Sequence, residues 1–375
     1  MILTVGKNNP VESAKEAAFK EDLRSFQDDL ALSVSKDYTK KAGQRDTKFN
    51  ATDFNKIKDY IPSFNKKYDG KFAIVNDELK YVGEEEKEIT WITDLGVKEA
   101  SNVPADWQAT IADITEDGVP IPKGFTYVTG TKETGTVIKD SLDNEFVWIP
   151  ATEVTYVKDF SFRSWYGATA DNTSDDTLPS GITDEAADVK KYGGFYIGRY
   201  EAGIPEGDTA PSNKTGKPVS KQGATVWTNI DYYNAKASAE SMTSNDYVQT
   251  GLLTGKAWDT TCHWIEDYIK NLNANSTLED SRYYGNYSNS QSPANVTGYG
   301  SKQVAGFSDK WSVKNIYDLA GNVWEWTAEA NSTNRIIRGG FYSNDGGDFP
   351  VSIRGSNDPS SAVYSIGFRS RLYIK

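Results

Sequence analysis

The sequence of 375 residues has almost no cysteine or histidine: Cys262 and His263 occur once each, side by side. One cysteine excludes an intrachain disulfide, and this pair is too small for a Cys2His2 zinc cage or a three-imidazole metal site. Adjacent side chains diverge on a helix and on a strand, which disfavours a Cys–His catalytic dyad. Trp258, Cys262 and Ile265 follow a helical spacing, so Cys262 is predicted to be a core residue on a short helix.

Basic charge and long apolar runs are also scarce. Lys plus Arg number 41 against 53 Asp plus Glu, for a net charge of −12. Phosphate binding needs a surplus of positive charge, so nucleic acid is not an expected partner. No apolar run approaches the roughly 20 residues of a membrane span, and no complete signal peptide is visible. Aromatic residues are abundant at 13%, which indicates a folded chain rather than a disordered one.

The first 97 residues predict a small α+β unit. A helix is predicted over 8–36, because Asn9 can cap it, Pro10 suits its first turn and apolar residues recur in steps of three and four. Residues 71–75 and 78–82 flank an Asn-Asp pair, which indicates a hairpin. Residues 98–125 contain three prolines and are predicted to be a linker.

From residue 126 onward, short apolar runs alternate with long polar loops. Residues 146–149 and 194–200 are predicted strands, and residues 230–242 are a predicted helix. The final run, 367–374, alternates in polarity and is predicted to be a terminal strand. Loops this long in a compact domain usually carry function or need a special scaffold.

Several motifs follow one another in a fixed order in this second part of the chain. They lie at 145–150, 195–201, 218–219, 226–227, 253–258, 315–326, 338–340 and 367–369. Together they resemble the formylglycine-generating, sulfatase-modifying-factor family, with 321–326 (GNVWEW) the most specific block. The resemblance implies a loop-rich C-type-lectin-like domain over 126–375. With the N-terminal helix and small antiparallel sheet predicted above, the fold class is α+β.

The block around residue 321 has a readable chemistry of its own. Gly321 permits a turn that strains other residues, and Asp318 and Glu325 offer the oxygens that a hard cation prefers. In the family, the matching segment holds calcium. The resemblance therefore implies a structural Ca²⁺ bound by Asp318, Gly321, Val323 and Glu325. The alternative is that Glu325 pairs with an arginine.

The family's oxidase chemistry does not carry over. It uses two cysteines in the stretch after Arg-Gly-Gly, and here that stretch, 341–350, contains none. Ser343 cannot replace a thiolate as soft metal ligand or redox centre, and one histidine cannot form the iron-binding cluster of related oxidases. We predict a retained scaffold without catalytic residues, as happens when function changes on a common fold.

The last forty residues resemble the variable segment of target proteins of diversity-generating retroelements, which share this fold. There, adenine-directed copying errors change scattered positions between framework residues. Framework-like positions here are 338–340, Tyr342, Pro350, Ser352, Arg354, Pro359 and 367–369. The positions between them, all compatible with mutated Asn codons, are the predicted ligand-binding residues of a segment spanning 337–365: Ile337, Phe341, Ser343, Asn344, Asp345, Asp348, Phe349, Ile353, Gly355, Ser356, Asn357, Val363, Tyr364 and Ser365.

The large apolar members of this set are Phe341, Phe349, Ile353, Val363 and Tyr364. If they are exposed together they form a contact patch, because rigid aromatic groups give contact area at low entropic cost. Asp345 and Asp348 would add polar specificity. The alternative for each apolar residue is that it fills the core.

Residues 2–97 resemble the region that follows the membrane helix in type IV pilin-like proteins. Only residues 2–5 could be the end of such an apolar anchor, so we expect that an upstream anchor has been removed. Attachment to a pilus or membrane assembly is therefore an expectation.

Three functions remain open at the level of sequence. The leading hypothesis is a non-enzymatic, adhesin-like binding protein on the bacterial cell surface or outside the cell, whose C-terminal segment recognises a protein or glycan ligand. The second places the same display role on a phage tail or virion. The third, a remote one, is a formylglycine-generating-type oxidase with an unforeseen centre.

Overall fold

The computed structural model describes residues 72–75, 78–81, 103–165, 168–169, 173–175, 178–208, 213–291 and 298–375. The chain divides into two compact units, residues 1–95 and 96–375. The helix predicted over 8–36 and most of the pilin-like region lie outside the described residues. None of the described helices combines the length and apolar character needed to cross a bilayer.

In the first unit, two short strands form the predicted hairpin. Strand β1 (Phe72–Val75) pairs antiparallel with β2 (Glu78–Tyr81). Val75 lies opposite Glu78, so the two residues between them make the connection, as the sequence predicts.

The second unit is mostly β-sheet, with few helices and long loops. Its strands are β3 (Ile111–Ile114), β4 (Pro120–Pro122), β5 (Phe125–Thr129), β6 (Val137–Asp140), β7 (Glu145–Pro150), β8 (Ser174–Asp175), β9 (Gly194–Gly198), β10 (Gly203–Ile204), β11 (Thr225–Val226), β12 (Val248–Leu252), β13 (Ser312–Val313), β14 (Ile316–Tyr317), β15 (Trp324–Asn331), β16 (Asn334–Arg338), β17 (Arg354–Asn357), β18 (Ile366–Phe368) and β19 (Ser370–Ile374). Its α-helices are α1 (Ala187–Tyr192), α2 (Tyr232–Met242) and α3 (Gly255–Leu272), with a 3-10 turn at Asp309–Trp311. This composition agrees with the expected loop-rich domain.

Two sheets organise this unit. The larger has the order β12-β19-β9-β7-β6-β5, and the smaller has the order β17-β16-β15-β18, with β8 also paired to β15. Strands β7 and β9 are buried along almost their whole length, which explains why both appear in the sequence as continuous apolar runs. The predicted terminal strand is divided between the sheets: β18 pairs parallel with β15, and β19 lies between β12 and β9.

Part of the segment predicted as a linker belongs to the folded unit. Strands β3 and β4 pair antiparallel within it. Ile111, Val119 and Ile121 are buried in a cluster that also contains Trp148 and Tyr196 of the larger sheet. The prolines misled the prediction because Pro120 and Pro122 lie in a two-stranded sheet, where a missing N–H donor is tolerated.

Helix α3 carries the only cysteine into the core. It begins after Thr254, whose hydroxyl accepts a hydrogen bond from the Ala257 backbone N–H, a common N-terminal cap. Trp258, Cys262 and Ile265 are completely buried, which confirms the predicted core role of Cys262. Burial also raises the pKa of the Cys262 thiol far above its ordinary value, so the reactive thiolate is disfavoured.

Candidate ligand-binding face

The segment 337–365 leaves β16 through a turn that requires glycine. Gly339 and Gly340 have φ angles of 89° and 74°, a region that costs other residues strain. A Cβ atom on Gly340 would lie 2.5 Å from the carbonyl oxygen of Phe349. The Arg-Gly-Gly motif therefore sends the chain into a loop that returns to the sheet as β17.

Buried ion pairs hold both ends of this loop. Arg338 and Arg354 are fully buried, and their guanidinium groups converge on Asp259 of α3 and Glu329 of β15. Arg338 Nη2 donates to Asp259 Oδ1 at 2.6 Å, and Arg354 Nη2 donates to Asp259 Oδ2. Arg354 Nε lies 3.2 Å from Glu329 Oε1, an oxygen that Lys158 Nζ also approaches at 3.2 Å.

The ion pairs outweigh the effect of burial at Glu329 but not at Asp259, where burial exceeds the effect of Arg338 and Arg354 and raises the pKa. Burial raises the pKa of Glu329, but Arg354, Arg338 and Lys158 outweigh it and hold the pKa below its ordinary value. Buried charges persist only when they are paired, so the four buried groups fix where the loop starts and ends. The two arginines were predicted as framework, but the sequence does not show which carboxylates receive them.

The predicted ligand-binding residues divide into three groups by exposure. Ser343, Asp345, Asp348 and Tyr364 are exposed; Phe341, Asn344, Phe349, Asn357, Val363 and Ser365 are half-buried; Ile337, Ile353, Gly355 and Ser356 are buried. Ten of the fourteen therefore have surface from which a ligand could be contacted.

Two of the predicted ligand-binding residues, Ile337 and Ile353, are buried, and Ile353 thereby departs from the predicted contact patch. Ile337 and Ile353 are only 2% and 3% exposed and pack in a cluster with Trp324 and Trp326. Gly355 lies opposite Ile337 in the β16–β17 ladder, where a Cβ atom would come within 3.0 Å of the Ile337 side chain. The alternative of a core role therefore holds for Ile353, and Ile337 of β16 has a core position as well.

An aromatic residue from outside the segment completes the surface. The Trp165 ring stacks on Trp324 with centroids 5.8 Å apart and planes 6° apart, and Phe349 meets both rings edge-on. The backbone N–H of Trp165 donates to the Arg354 carbonyl oxygen at 2.7 Å. No local pattern distinguished Trp165 in the sequence, because its partners lie in distant segments.

Further aromatic residues of the segment lie at least partly exposed. The ring centroids of Phe341 and Tyr342 are 5.2 Å apart. Burial, with a smaller contribution from Tyr364, raises the pKa of the Tyr342 hydroxyl. Tyr364 is 58% exposed. We call Trp165, Phe341, Tyr342, Phe349, Val363 and Tyr364 the aromatic face.

The residues predicted for calcium are engaged in other contacts. Both oxygens of the Glu325 carboxylate accept hydrogen bonds from Arg369, at 2.7 to 3.1 Å. Asp318 Oδ2 accepts from the Gly306 N–H at 2.7 Å, whereas Oδ1 has no hydrogen-bond partner among the described residues. The arginine pairing considered as the alternative for Glu325 is thus present. Across the described part of the chain, no group of three or more His, Cys, Asp or Glu could hold a metal ion. Calcium binding at Asp318, Gly321, Val323 and Glu325 stays a prediction.

A third carboxylate, which sequence reasoning did not single out, is Glu201. It is fully buried, and its oxygens accept from Asn322 Nδ2 at 2.5 Å and from the Val323 N–H at 3.2 Å. Burial, together with Asp318 and Glu325, raises its pKa well above the ordinary value. These contacts hold the 321–326 block against the chain that follows β9, which gives the block a structural role.

The fold and the surface define a class of protein: a mostly β domain with long loops, in which buried arginine–carboxylate pairs hold a C-terminal loop beneath exposed side chains. Residues 108–371 match the family model of the sulfatase-modifying factor enzyme 1-like domain. This match spans well over half of the chain, and the chain belongs to that family.

Three solved structures are similar in fold at low sequence identity. Treponema denticola variable protein 1 is 14% identical, with a TM-score of 0.33, covering 66% of this chain and 98% of its own. PvdO from Pseudomonas aeruginosa is 17% identical, with a TM-score of 0.32 and coverages of 65% and 99%. CarF is 17% identical, with a TM-score of 0.31 and coverages of 54% and 96%. No curated protein sequence matches this chain.

Proposed function

We propose that this protein is a non-enzymatic binding protein, and that its C-terminal segment 337–365 recognises a protein or glycan ligand. The observation that carries the proposal is that the segment contains two separate sets of side chains: buried ones that support the fold and exposed ones that face solvent. Arg338, Ile353 and Arg354 are buried, whereas Ser343, Asp348 and Tyr364 are exposed. The exposed side chains can change without disturbing the buried ones.

The residues available as metal ligands near this segment support a binding role rather than oxidase chemistry. The stretch after Arg-Gly-Gly contains no cysteine, and the one thiol of the chain, Cys262, lies in the core with a raised pKa. The single imidazole, His263, lies on the exposed side of α3, where its Nε2 atom is 2.8 Å from Asp159 Oδ2. Neither group reaches the loop surface as a soft metal ligand.

The location of the protein is part of the same proposal. A display role fits a bacterial cell surface or an extracellular setting, with residues 1–97 as the attachment unit to a pilus or membrane assembly. A phage virion is the alternative setting. Solution mass and the genes that flank the coding sequence would distinguish them, because a tail protein is expected beside other tail genes.

The decisive experiment exchanges the outward residues only. A protein in which Ser343, Asp348 and Tyr364 are replaced together is compared with the unchanged chain on arrays of bacterial surface proteins and glycans. The proposal requires ligands of the unchanged chain to be lost or replaced, with the thermal midpoint retained. Identical ligand profiles, or stoichiometric copper or iron in the purified protein, would contradict it.

A further inference from the structure

The charges on the segment 337–365 are all of one sign at the surface. Its basic side chains are Arg338 and Arg354, and both are fully buried against Asp259 and Glu329. Its acidic side chains are Asp345, Asp348 and Asp358, and all three are exposed. The segment therefore offers carboxylates to a partner and no cation.

Two arginines from neighbouring loops border this surface, but each is already paired. Arg163 Nε lies 2.5 Å from Glu279 Oε2, and Arg282 Nη2 lies 2.5 Å from Asp280 Oδ2. Each pair is close to neutral as a unit. Arg282 also attracts Asp345 and offsets part of its charge, whereas Asp348 and Asp358 keep the exposed surface of the segment net negative.

These aspartates border the aromatic face. A single backbone turn connects Asp345 to Phe349 of the aromatic face: the backbone N–H of Phe349 donates to the Asp345 carbonyl oxygen at 2.9 Å. Asp345 Oδ1 accepts from the Gly347 N–H at 2.7 Å, which fixes the turn. Burial raises the pKa of Asp345, but hydrogen bonds from Gly347 and from the Asn289 side chain outweigh it, so this exposed carboxylate stays charged. The Phe349 ring, half-buried against Trp165, stands at the other end of that turn.

Aromatic rings next to carboxylates match one kind of ligand group. A guanidinium or ammonium is attracted to the face of an aromatic ring and forms charge-assisted hydrogen bonds with a carboxylate. Tyr and Trp also give large contact area with few rotatable bonds. A neutral sugar would use the rings but gains less from an excess of negative charge.

We propose that the aromatic face, completed by Trp165, binds a basic segment of a partner protein, with Asp345 and Asp348 receiving its Arg or Lys side chains. This inference rests on the proposed binding function and deepens it in two respects. It assigns a contact residue outside the diversified positions, and it gives the partner a charge. Trp165 would be a constant anchor, while neighbouring positions change from copy to copy.

The test follows the indole N–H resonance of Trp165, assigned by its loss in Trp165→Phe, in the full-length protein at 150 mM NaCl. The probes are a peptide of four Gly-Ser-Arg repeats, a matched peptide of four Gly-Ser-Glu repeats, and maltohexaose as a neutral glycan. We expect a saturable shift with the arginine peptide, at an affinity roughly tenfold above that of the glutamate peptide.

Charge-neutral variants provide the matched control. Asp345→Asn/Asp348→Asn should lower the affinity of the protein for the arginine peptide roughly tenfold. Glu206→Gln/Asp208→Asn removes the same charge from exposed positions outside the segment and should leave the affinity within about twofold, because distant exposed charges are screened by salt. Trp165→Ala should reduce affinity for the arginine peptide, measured at a temperature at which circular dichroism shows the variant to be folded.

Each contrary result overturns the inference. An unshifted Trp165 resonance, equal binding of the glutamate peptide, or equal weakening by both double variants would each reject a cation-specific face. Saturable binding of maltohexaose that is unaffected by Asp345→Asn/Asp348→Asn would reject the basic partner but leave the proposed binding function in place. The two proposals therefore fail separately.

Discussion

The buried carboxylate Asp259 is the sharpest point at which the framework can be perturbed. It lies completely buried on α3 and accepts hydrogen bonds from Arg338, Arg354 and the backbone N–H of Asp159, the last at 2.9 Å. Asp259→Ala leaves two buried guanidinium groups with Glu329 as their remaining carboxylate partner.

The expected loss follows from removing one partner of a buried ion pair. Such removals cost about 3–5 kcal/mol, because the remaining charge stays desolvated without compensation. In a domain of this size, each kcal/mol lowers the thermal midpoint by about 2–4 °C. We therefore expect Asp259→Ala to unfold at a midpoint lower by about 6–20 °C.

Urea unfolding followed by tryptophan fluorescence measures this loss. Nine of the ten tryptophans lie between residues 107 and 326, so the signal reports on the second unit. The matched control is Asp267→Ala, an exposed carboxylate on the same helix, which should change the free energy of unfolding by less than about 0.5 kcal/mol.

A double-mutant cycle tests whether the pairing causes the loss. In an Arg354→Met background, Asp259→Ala should cost less than in the unchanged chain, with a coupling of about 1–3 kcal/mol. A loss below about 1 kcal/mol for Asp259→Ala alone, or strict additivity in the cycle, would refute the role given to this network.

Four further predictions concern the loop and its surroundings, each measured by urea unfolding unless stated otherwise. Ile353→Ala should cost about 2–5 kcal/mol because it opens a cavity in the core, and a change below about 1 kcal/mol would place Ile353 at the surface instead. Replacing Ser343, Asp348 and Tyr364 together with alanine should alter the free energy of unfolding by less than about 1.5 kcal/mol, since exposed positions cost little. Burial raises the pKa of Asp159, but hydrogen bonds from a neighbouring serine and from the histidine outweigh it, so the pKa lies below 3.8 in the folded protein. The stability that this carboxylate adds is complete above that value and is lost as pH falls through the folded pKa. Asp159→Asn should therefore be less stable than the unchanged chain at pH 7, with a difference that narrows below about pH 4, and a constant difference would contradict the pairing. Calcium titration into EDTA-treated protein, followed by calorimetry, tests the calcium prediction: a saturable heat with a raised thermal midpoint is expected if the ion binds, and its absence would leave the Arg369 pair as the partner of the block.

Local sequence patterns determined those parts of the fold whose causes are local. The hairpin around residues 76–77, the strands β7 and β9 and the placement of Cys262 on a buried helix face all follow from apolar spacing and turn residues within short windows. The order of the motifs identified the family, because each motif carries its own turn or packing requirement. Arg338 and Arg354 could also be recognised as framework residues, because the segment resembles one in which framework and variable positions alternate.

The tertiary structure alone decided which residues meet. Asp259 and Glu329 appear in the sequence as ordinary carboxylates on a helix and a strand, and nothing local assigns them to Arg338 and Arg354. Trp165 belongs to the surface of the segment only because a distant loop pairs with β17. The spacing of apolar residues along the chain indicates which face of a helix or strand a residue occupies. Contacts across a loop-rich domain instead require long loops to bring distant segments together, and no periodicity in the sequence encodes this.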